Sequence, residues 1–126
     1  MQEISVGIDL IEINRIAKTL ERFGDRFLNR IYTESEIRYC RGRAPQLAAR
    51  FAAKEAVMKA LGTGIRGVGW REIEVTRKPS GQPNVALHGR AAVVASKLGI
   101  EQMAISLSHS REYATASVIG QKIENC

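Results

Sequence analysis

Apolar residues change their spacing within the first thirty positions of the chain. Over Ile4–Ile13 (ISVGIDLIEI) they alternate loosely and are rich in Ile and Val, which predicts a strand from about Ser5 to Asp9. From Asn14 onward Ile16, Leu20, Phe23, Phe27 and Ile31 recur at steps of four, three, four and four, the stripe of an amphipathic helix, with Gly24-Asp25 placed to break it in two. Thr33-Glu34-Ser35-Glu36 has the spacing of a capping box and opens a short helix to about Arg41. Pro45 suits a first helical position, and Gln46–Leu61 follows as the strongest helix in the chain. Only five of its sixteen residues are polar (Gln46, Arg50, Lys54, Glu55 and Lys59), so most of its circumference must be buried.

Gly62 supplies the stop of that helix. The remainder predicts a strand Glu72–Thr76, a turn over Pro79–Pro83, a strand Asn84–Leu87 and a helix Gly89–Leu98. Strands Met103–Ser108 and Ala114–Ile119 close the chain around a turn at Arg111-Glu112. The fold class is α+β: an antiparallel sheet packed with one long buried helix and several shorter ones. With 126 residues and no repeat, linker or low-complexity tract, residues 1–126 read as a single domain.

Composition narrows the setting. A 44% apolar content sustains a core without cross-links and excludes a disordered chain. The two cysteines, Cys40 and Cys126, form neither a disulfide framework nor a zinc spacing, and predict a reduced, cytoplasmic environment. The start MQEISVGID lacks a basic stretch followed by an apolar run, so no signal peptide is expected, and no stretch has the length of a membrane span. The net charge of +6 is localised. Between Arg15 and Lys54 there are ten Lys and Arg against four Asp and Glu, while the remaining residues balance. Arg15, Lys18, Arg22 and Arg26 step by three, four and four, forming a basic face beside the apolar stripe of the same helix. An anionic partner, either an acidic helix or a nucleic acid, would fit such a face.

Within the apolar helix, Glu55 and Lys59 lie four residues apart on one face. On an ordinary surface helix they would be a weak ion pair. Beside Ala, Phe, Val and Met they need a further reason, because charge next to apolar surface costs free energy unless something pairs with it. Asp9 interrupts an apolar strand. It either starts the turn into the next helix or, paired with Glu55, offers hard oxygen ligands of the kind magnesium takes, and spacing alone leaves both open. Gly62-Thr63-Gly64 reads first as a helix stop and turn, and second as a loop able to wrap a phosphate. Ser106, Ser108, His109 and Ser110 gather near a strand end without the elbow motif of a hydrolase, so His109 reads as an anion or substrate contact. His88 reads as a solvent-facing strand-end residue with no assigned role.

Three segments, GIDLIEINRI (Gly7–Ile16), RFAAKEAVMKALGTGI (Arg50–Ile65) and ISLSHSREYATASVI (Ile105–Ile119), together resemble the signature segments of the holo-(acyl-carrier-protein) synthases, the small bacterial 4′-phosphopantetheinyl transferases. They cover about forty residues of the chain, in the family's order; the turn Gly81-Gln82-Pro83 departs from the family's Gly-Lys-Pro. The resemblance implies the 4′-phosphopantetheinyl transferase fold. It also implies transfer of the phosphopantetheine arm of coenzyme A to a serine of apo-acyl carrier protein, releasing adenosine 3′,5′-bisphosphate, for fatty acid biosynthesis. By matched position Asp9 and Glu55 would hold Mg²⁺, Glu55 would take the serine proton and Lys59 would neutralise or protonate the leaving phosphate. Arg50, Lys54, Lys59, Gly64 and His109 would line the coenzyme A site, and Arg15, Arg22 and Arg26 would dock the carrier protein. The resemblance also implies a homotrimer with its sites at subunit interfaces.

Two readings of other classes compete. A small basic nucleic-acid-binding module accounts for the charge, but aromatics are only 6% of the chain, no recognised reading motif occurs, and Asp9, Glu55 and Lys59 are left without purpose. A coenzyme A-binding regulator that has lost turnover sits poorly with the intact KEA-x-x-KA block.

Overall fold

A computed structural model describes residues 3–123, and Cys126 lies outside them. The chain runs β1 (Glu3–Glu12), α1 (Ile13–Phe23), α2 (Asp25–Ile31), α3 (Glu34–Cys40), α4 (Ala44–Leu61), a short α5 (Gly64–Gly67), a 3₁₀ turn (Trp70–Glu72), β2 (Ile73–Arg77), β3 (Pro83–Leu87), α6 (Gly89–Leu98), β4 (Ile100–His109) and β5 (Tyr113–Lys122). The strands are antiparallel throughout, but they form two sheets rather than the single one expected: β1-β5-β4, and the hairpin β2-β3. Helix α6 carries the chain from β3 to β4; these strands lie near each other without a ladder and line a groove of about 1000 Å³.

Strand β1 is twice as long as its apolar pattern suggested. Every residue from Glu3 to Glu12 finds a partner on β5, so pairing carries the strand through its polar ends. Position 7 requires glycine, because a Cβ there would lie 1.8 Å from the carbonyl oxygen of Ala56. This contact lets the backbone of β1 lie directly on α4. The alanines of α4 extend the same close approach: Ala48, Ala52, Ala53, Ala56 and Ala60 are buried, with Ala114, Ala116 and Val118 of β5 also in the core. Short side chains replace the usual interlayer bulk, so polar groups at the helix edge come within reach of the strand.

Local signals are mostly obeyed. Thr33 and Glu36 complete the capping box of α3, with Glu36 N donating to Thr33 Oγ1 and Thr33 N donating to Glu36 Oε1. Gly62 ends α4 in the left-handed region at φ 73°, its N–H donating to the Lys59 and Met58 carbonyls. Helix α4 starts at Ala44, one residue before Pro45, which puts Pro45 in its second position. Gly24 at φ 54° breaks the stripe into α1 and α2 as expected; Ile16 and Ile31 are buried and Leu20 and Phe27 pack against the core, while Phe23 beside the break is left exposed. Glu72, expected to begin a strand, sits in the 3₁₀ turn, where its carboxylate accepts from Gly69 N and Arg90 N.

Candidate active site

The contact at Gly7 determines what meets what. Two residues beyond it, Asp9 points to the same side of β1 as Gly7 and Ile11, towards α4. There Lys59 Nζ donates to Asp9 Oδ1 at 3.0 Å and to the Ile8 carbonyl at 2.9 Å. The carboxyl of Glu55, one turn back along α4, meets that of Asp9. Burial first, and then the Asp9 carboxylate, push Glu55 up to about 7; Lys59 and Arg15 oppose the shift. The other oxygen, Asp9 Oδ2, is buried and no donor among the described residues reaches it. An unpaired carboxylate oxygen beside a second carboxyl is satisfied by a proton on Glu55 or by a cation.

The donor set favours a hard divalent cation. Two carboxylates with room for phosphate oxygens and waters suit magnesium. Among the described residues no group of three or more His, Cys, Asp or Glu gathers to hold a metal ion by itself. Asp9 and Glu55 therefore fit a metal that completes its shell from substrate, and fit poorly a fully enclosed structural ion.

A second cluster lies further back along α4. Arg50, Arg43 and Arg77 place their guanidinium groups 4.3, 5.5 and 4.8 Å from the ring centre of Tyr39, and Arg77 donates to the Tyr39 hydroxyl. None of the three meets a carboxylate among the described residues. Arg50 is 5% exposed, its Nε has no acceptor among the described residues, and its burial lowers its affinity for a proton. Three cations and an unsatisfied donor offer a corner that could hold an anion. The α-helical rise places Arg50 about 7.5 Å along the axis from Glu55.

The remaining expected residues divide. Arg15, on the exposed face of α1, is near enough to Glu55 to influence its charge, whereas Lys18, Arg22 and Arg26 are exposed beyond it. Gly64 opens α5 at φ 61° on an exposed loop just past α4. His109 ends β4, two strands away from Asp9 across the sheet, roughly 10 Å, on the same face. The chain thus brings Asp9, Glu55 and Lys59 together with Arg15, and leaves His109 apart.

Lys54 is a correction. Expected in a coenzyme A site, it is completely buried and its ammonium group has three partners inside the protein: Glu36 Oε1 at 2.8 Å, the Trp70 carbonyl at 3.1 Å and the Ile73 carbonyl. A charge on a mostly apolar helix is as readily paired internally as aimed at a ligand, and here α3 supplies the counter-charge. Sequence reasoning also missed Tyr39 at the end of α3, Arg43 in the turn before α4 and Arg77 of β2; the first two are neighbours along the chain, but nothing local ties them to Arg77.

The chain is similar to known proteins over nearly all its length. Residues 5–118 match the model of the 4′-phosphopantetheinyl transferase superfamily. A holo-(acyl-carrier-protein) synthase of Koribacter versatilis is 55% identical over 120 residues, 92% of this chain and 96% of that protein. Among solved structures, the Helicobacter pylori holo-(acyl-carrier-protein) synthase in complex with coenzyme A superposes with a TM-score of 0.83 at 33% identity, covering 91% of this chain and 98% of that one. The Bacillus anthracis holo-(acyl-carrier-protein) synthase, in complex with coenzyme A (3′,5′-ADP), gives 0.79 at 36% identity, covering 98% of this chain and all of the other.

Proposed function

This chain belongs to the 4′-phosphopantetheinyl transferase superfamily, and from that premise we propose that it is a holo-(acyl-carrier-protein) synthase. It transfers the 4′-phosphopantetheine group of coenzyme A to a serine of apo-acyl carrier protein, releasing adenosine 3′,5′-bisphosphate, and so serves fatty acid biosynthesis. The observation that carries this reading is the Asp9–Glu55–Lys59 cluster with its unsatisfied Asp9 Oδ2.

The chemistry follows from the residues. The serine oxygen forms a bond to the phosphorus that carries the pantetheine arm, and the bond from that phosphorus to the bridging oxygen of the pyrophosphate breaks. Glu55, whose carboxyl meets that of Asp9 at the edge of α4, takes the serine proton directly or through a water. Lys59, half-exposed and anchored on β1, neutralises the phosphate that leaves. Asp9 and Glu55 would hold magnesium, which when bound neutralises the pyrophosphate charge. The Arg50 corner suits a phosphate at the nucleotide end of coenzyme A, while Gly64 and His109 would make further contacts.

The exposed basic face of α1 and α2 (Arg15, Arg22 and Arg26) would dock the acidic carrier protein. The outer face of β1 exposes Ile4, Val6, Ile8 and Leu10, each more than 60% accessible, with Ile119 of β5 paired beside Val6. Such an apolar stripe supports burial against further copies of the chain in a homotrimer, which would bring a neighbour's residues to the site. We assign the whole chain to one domain and place it in the cytoplasm, in keeping with a buried free thiol at Cys40 that burial pushes up to about 11. No helix among the described residues is long and apolar enough to cross a membrane.

Intact-mass spectrometry tests the reading. Apo-acyl carrier protein incubated with this protein, coenzyme A and Mg²⁺ should gain the mass of one phosphopantetheine group, and the gain should vanish with EDTA. No gain on several apo-carrier proteins from a folded sample would reject it, and a gain that persists in EDTA would reject the metal.

A further inference from the structure

Helix α4 is gripped from two sides. On one side the Gly7 backbone rests on Ala56, and Ser5 Oγ donates to the Ala60 carbonyl. On the other, Lys54 reaches into a closed polar knot. Its ammonium group donates to Glu36 Oε1, the Trp70 carbonyl and the Ile73 carbonyl, filling all three donors. Glu36, 1% exposed, accepts in addition from Thr33 N at Oε1 and from Val75 N at Oε2, both at 2.8 Å. One ion pair therefore joins the start of α3, the middle of α4, the 3₁₀ turn after the Gly64 loop, and β2.

Lys54 immediately precedes Glu55. Successive helix residues are rotated by about 100°, so whatever pins Lys54 also sets the direction in which Glu55 projects, and Lys59 a turn later. We propose that Lys54, through its buried pair with Glu36, is a positioning residue that sets the rotation of α4 and so holds Glu55 and Lys59 against Asp9. A packing role alone could be filled by apolar side chains, whose contacts are non-directional. Three directed hydrogen bonds from the helix to three other segments, with two more fixing Glu36 itself, restrict rotation and sliding of the helix in a way that apolar contact does not. All three donors of Lys54 are taken inside the protein and both members of the pair are buried, so Lys54 acts on the reaction only through its neighbours.

The inference rests on the transferase reading of Glu55 and Lys59, and its test separates the two. Lys54→Met and Glu36→Gln are combined, so that neither charge is left buried alone. The measurements are kcat, the KM for apo-carrier protein, and Mg²⁺ affinity by calorimetry without substrates. The expected result is a native circular dichroism spectrum and a carrier-protein KM within about twofold of the parent, because the face on α1 and α2 is untouched. With these, kcat and Mg²⁺ affinity should each fall by about tenfold to a hundredfold, the range for partners that orient a metal's ligands. Lys54→Arg, which keeps the charge and directed donors facing Glu36, should recover part of both losses.

A double variant with parental kcat and Mg²⁺ affinity overturns the proposal, even if its Tm is lower, since the knot is then purely structural. A double variant that does not fold at any temperature overturns it too, by assigning the pair to the fold as a whole. Failure of the transferase reading would look different, because the parent protein itself would leave the carrier protein at its apo mass.

Discussion

Helix α4 carries two lysines five positions apart, and each meets a carboxylate at about the same distance with opposite consequences. Lys54 and Glu36 are both fully buried at 2.8 Å, with the lysine's donors filled and both carboxylate oxygens accepting from backbone N–H groups as well. Lys59 and Asp9 stand 3.0 Å apart, but the lysine is 56% exposed, one carboxylate oxygen has no donor, and a second carboxyl abuts it. The complete pair joins four segments and has no capacity left for a ligand. The incomplete pair has reactive capacity because the fold leaves it unsatisfied. Equal contact distances therefore do not imply equal roles; the count of unmet partners separates structure from chemistry.

The comparison breaks most sharply under substitution. Glu55→Gln should lower kcat by about 10³-fold, within the range for loss of a general base, while circular dichroism shows an intact fold. Single-turnover mass spectrometry measures it, and near-normal turnover would remove Glu55 from the mechanism. Lys59→Ala should also collapse kcat while costing less stability than Lys54→Met, because Lys59 is 56% exposed and water can take its place at Asp9. Lys54→Met alone should do the reverse in the first instance: urea denaturation should show a loss of about 3–5 kcal/mol, the cost of leaving Glu36 buried and uncompensated. A stability loss below about 1 kcal/mol would mean that water reaches Glu36 easily, and the contrast between the pairs would fail.

What the sequence made legible follows from how far apart the interacting residues lie. Glu55 and Lys59 share a face by helical period, so their partnership shows at four-residue spacing. The capping box of Thr33 and Glu36 is equally local. That Asp9 joins Glu55 depends on Gly7 lying against Ala56, a contact across some fifty residues that no periodicity encodes. Lys54 was misread for the same reason. Its partner is hidden within a capping motif, since Glu36 reads as a helix-start residue whose side chain is already employed, yet it accepts from Lys54 and Val75 as well. The two-sheet arrangement was missed because strand patterns predict strands and do not say which edges join.

Gly7→Ala probes the contact on which the comparison depends. The added methyl would overlap the Ala56 carbonyl, so β1 must move away from α4. Overpacking a tight contact costs about 1–3 kcal/mol and here falls on backbone, which cannot rotate aside. Thermal melts should show the loss. In the same samples kcat should fall further than in a core variant of equal stability, because Asp9 moves with the strand.

A smaller effect separates docking from chemistry. Arg22→Glu and Arg26→Glu, on the exposed helices α1 and α2, should raise the KM for carrier protein by about tenfold and flatten its salt dependence, with kcat nearly unchanged. Arg15→Glu is not expected to be as clean, since Arg15 also bears on the charge of Glu55. A rise in the KM for coenzyme A with Arg22→Glu would contradict this division of the surface.

The smallest effect concerns stability and its sign. Glu55 is held at about 7 in the folded protein by burial and by Asp9, against about 4.3 for an unfolded chain. The folded state therefore binds this proton more tightly. The contribution of Glu55 is most favourable below the unfolded value, declines as pH rises between the two, and is a fixed penalty above the folded one. Glu55→Gln removes the penalty. In EDTA at pH 8 the variant should be more stable than its parent by about 1 kcal/mol, after allowance for solvent screening of a half-buried group, and at pH 4 the gain should vanish. Millimolar Mg²⁺ at pH 8 should reverse the order, because a cation held between Asp9 and Glu55 stabilises only the parent. Urea titrations at both pH values, with and without the metal, measure the four differences. If Mg²⁺ leaves the order unchanged, the unsatisfied oxygen of Asp9 is not a metal ligand, and the two lysine pairs differ in exposure alone.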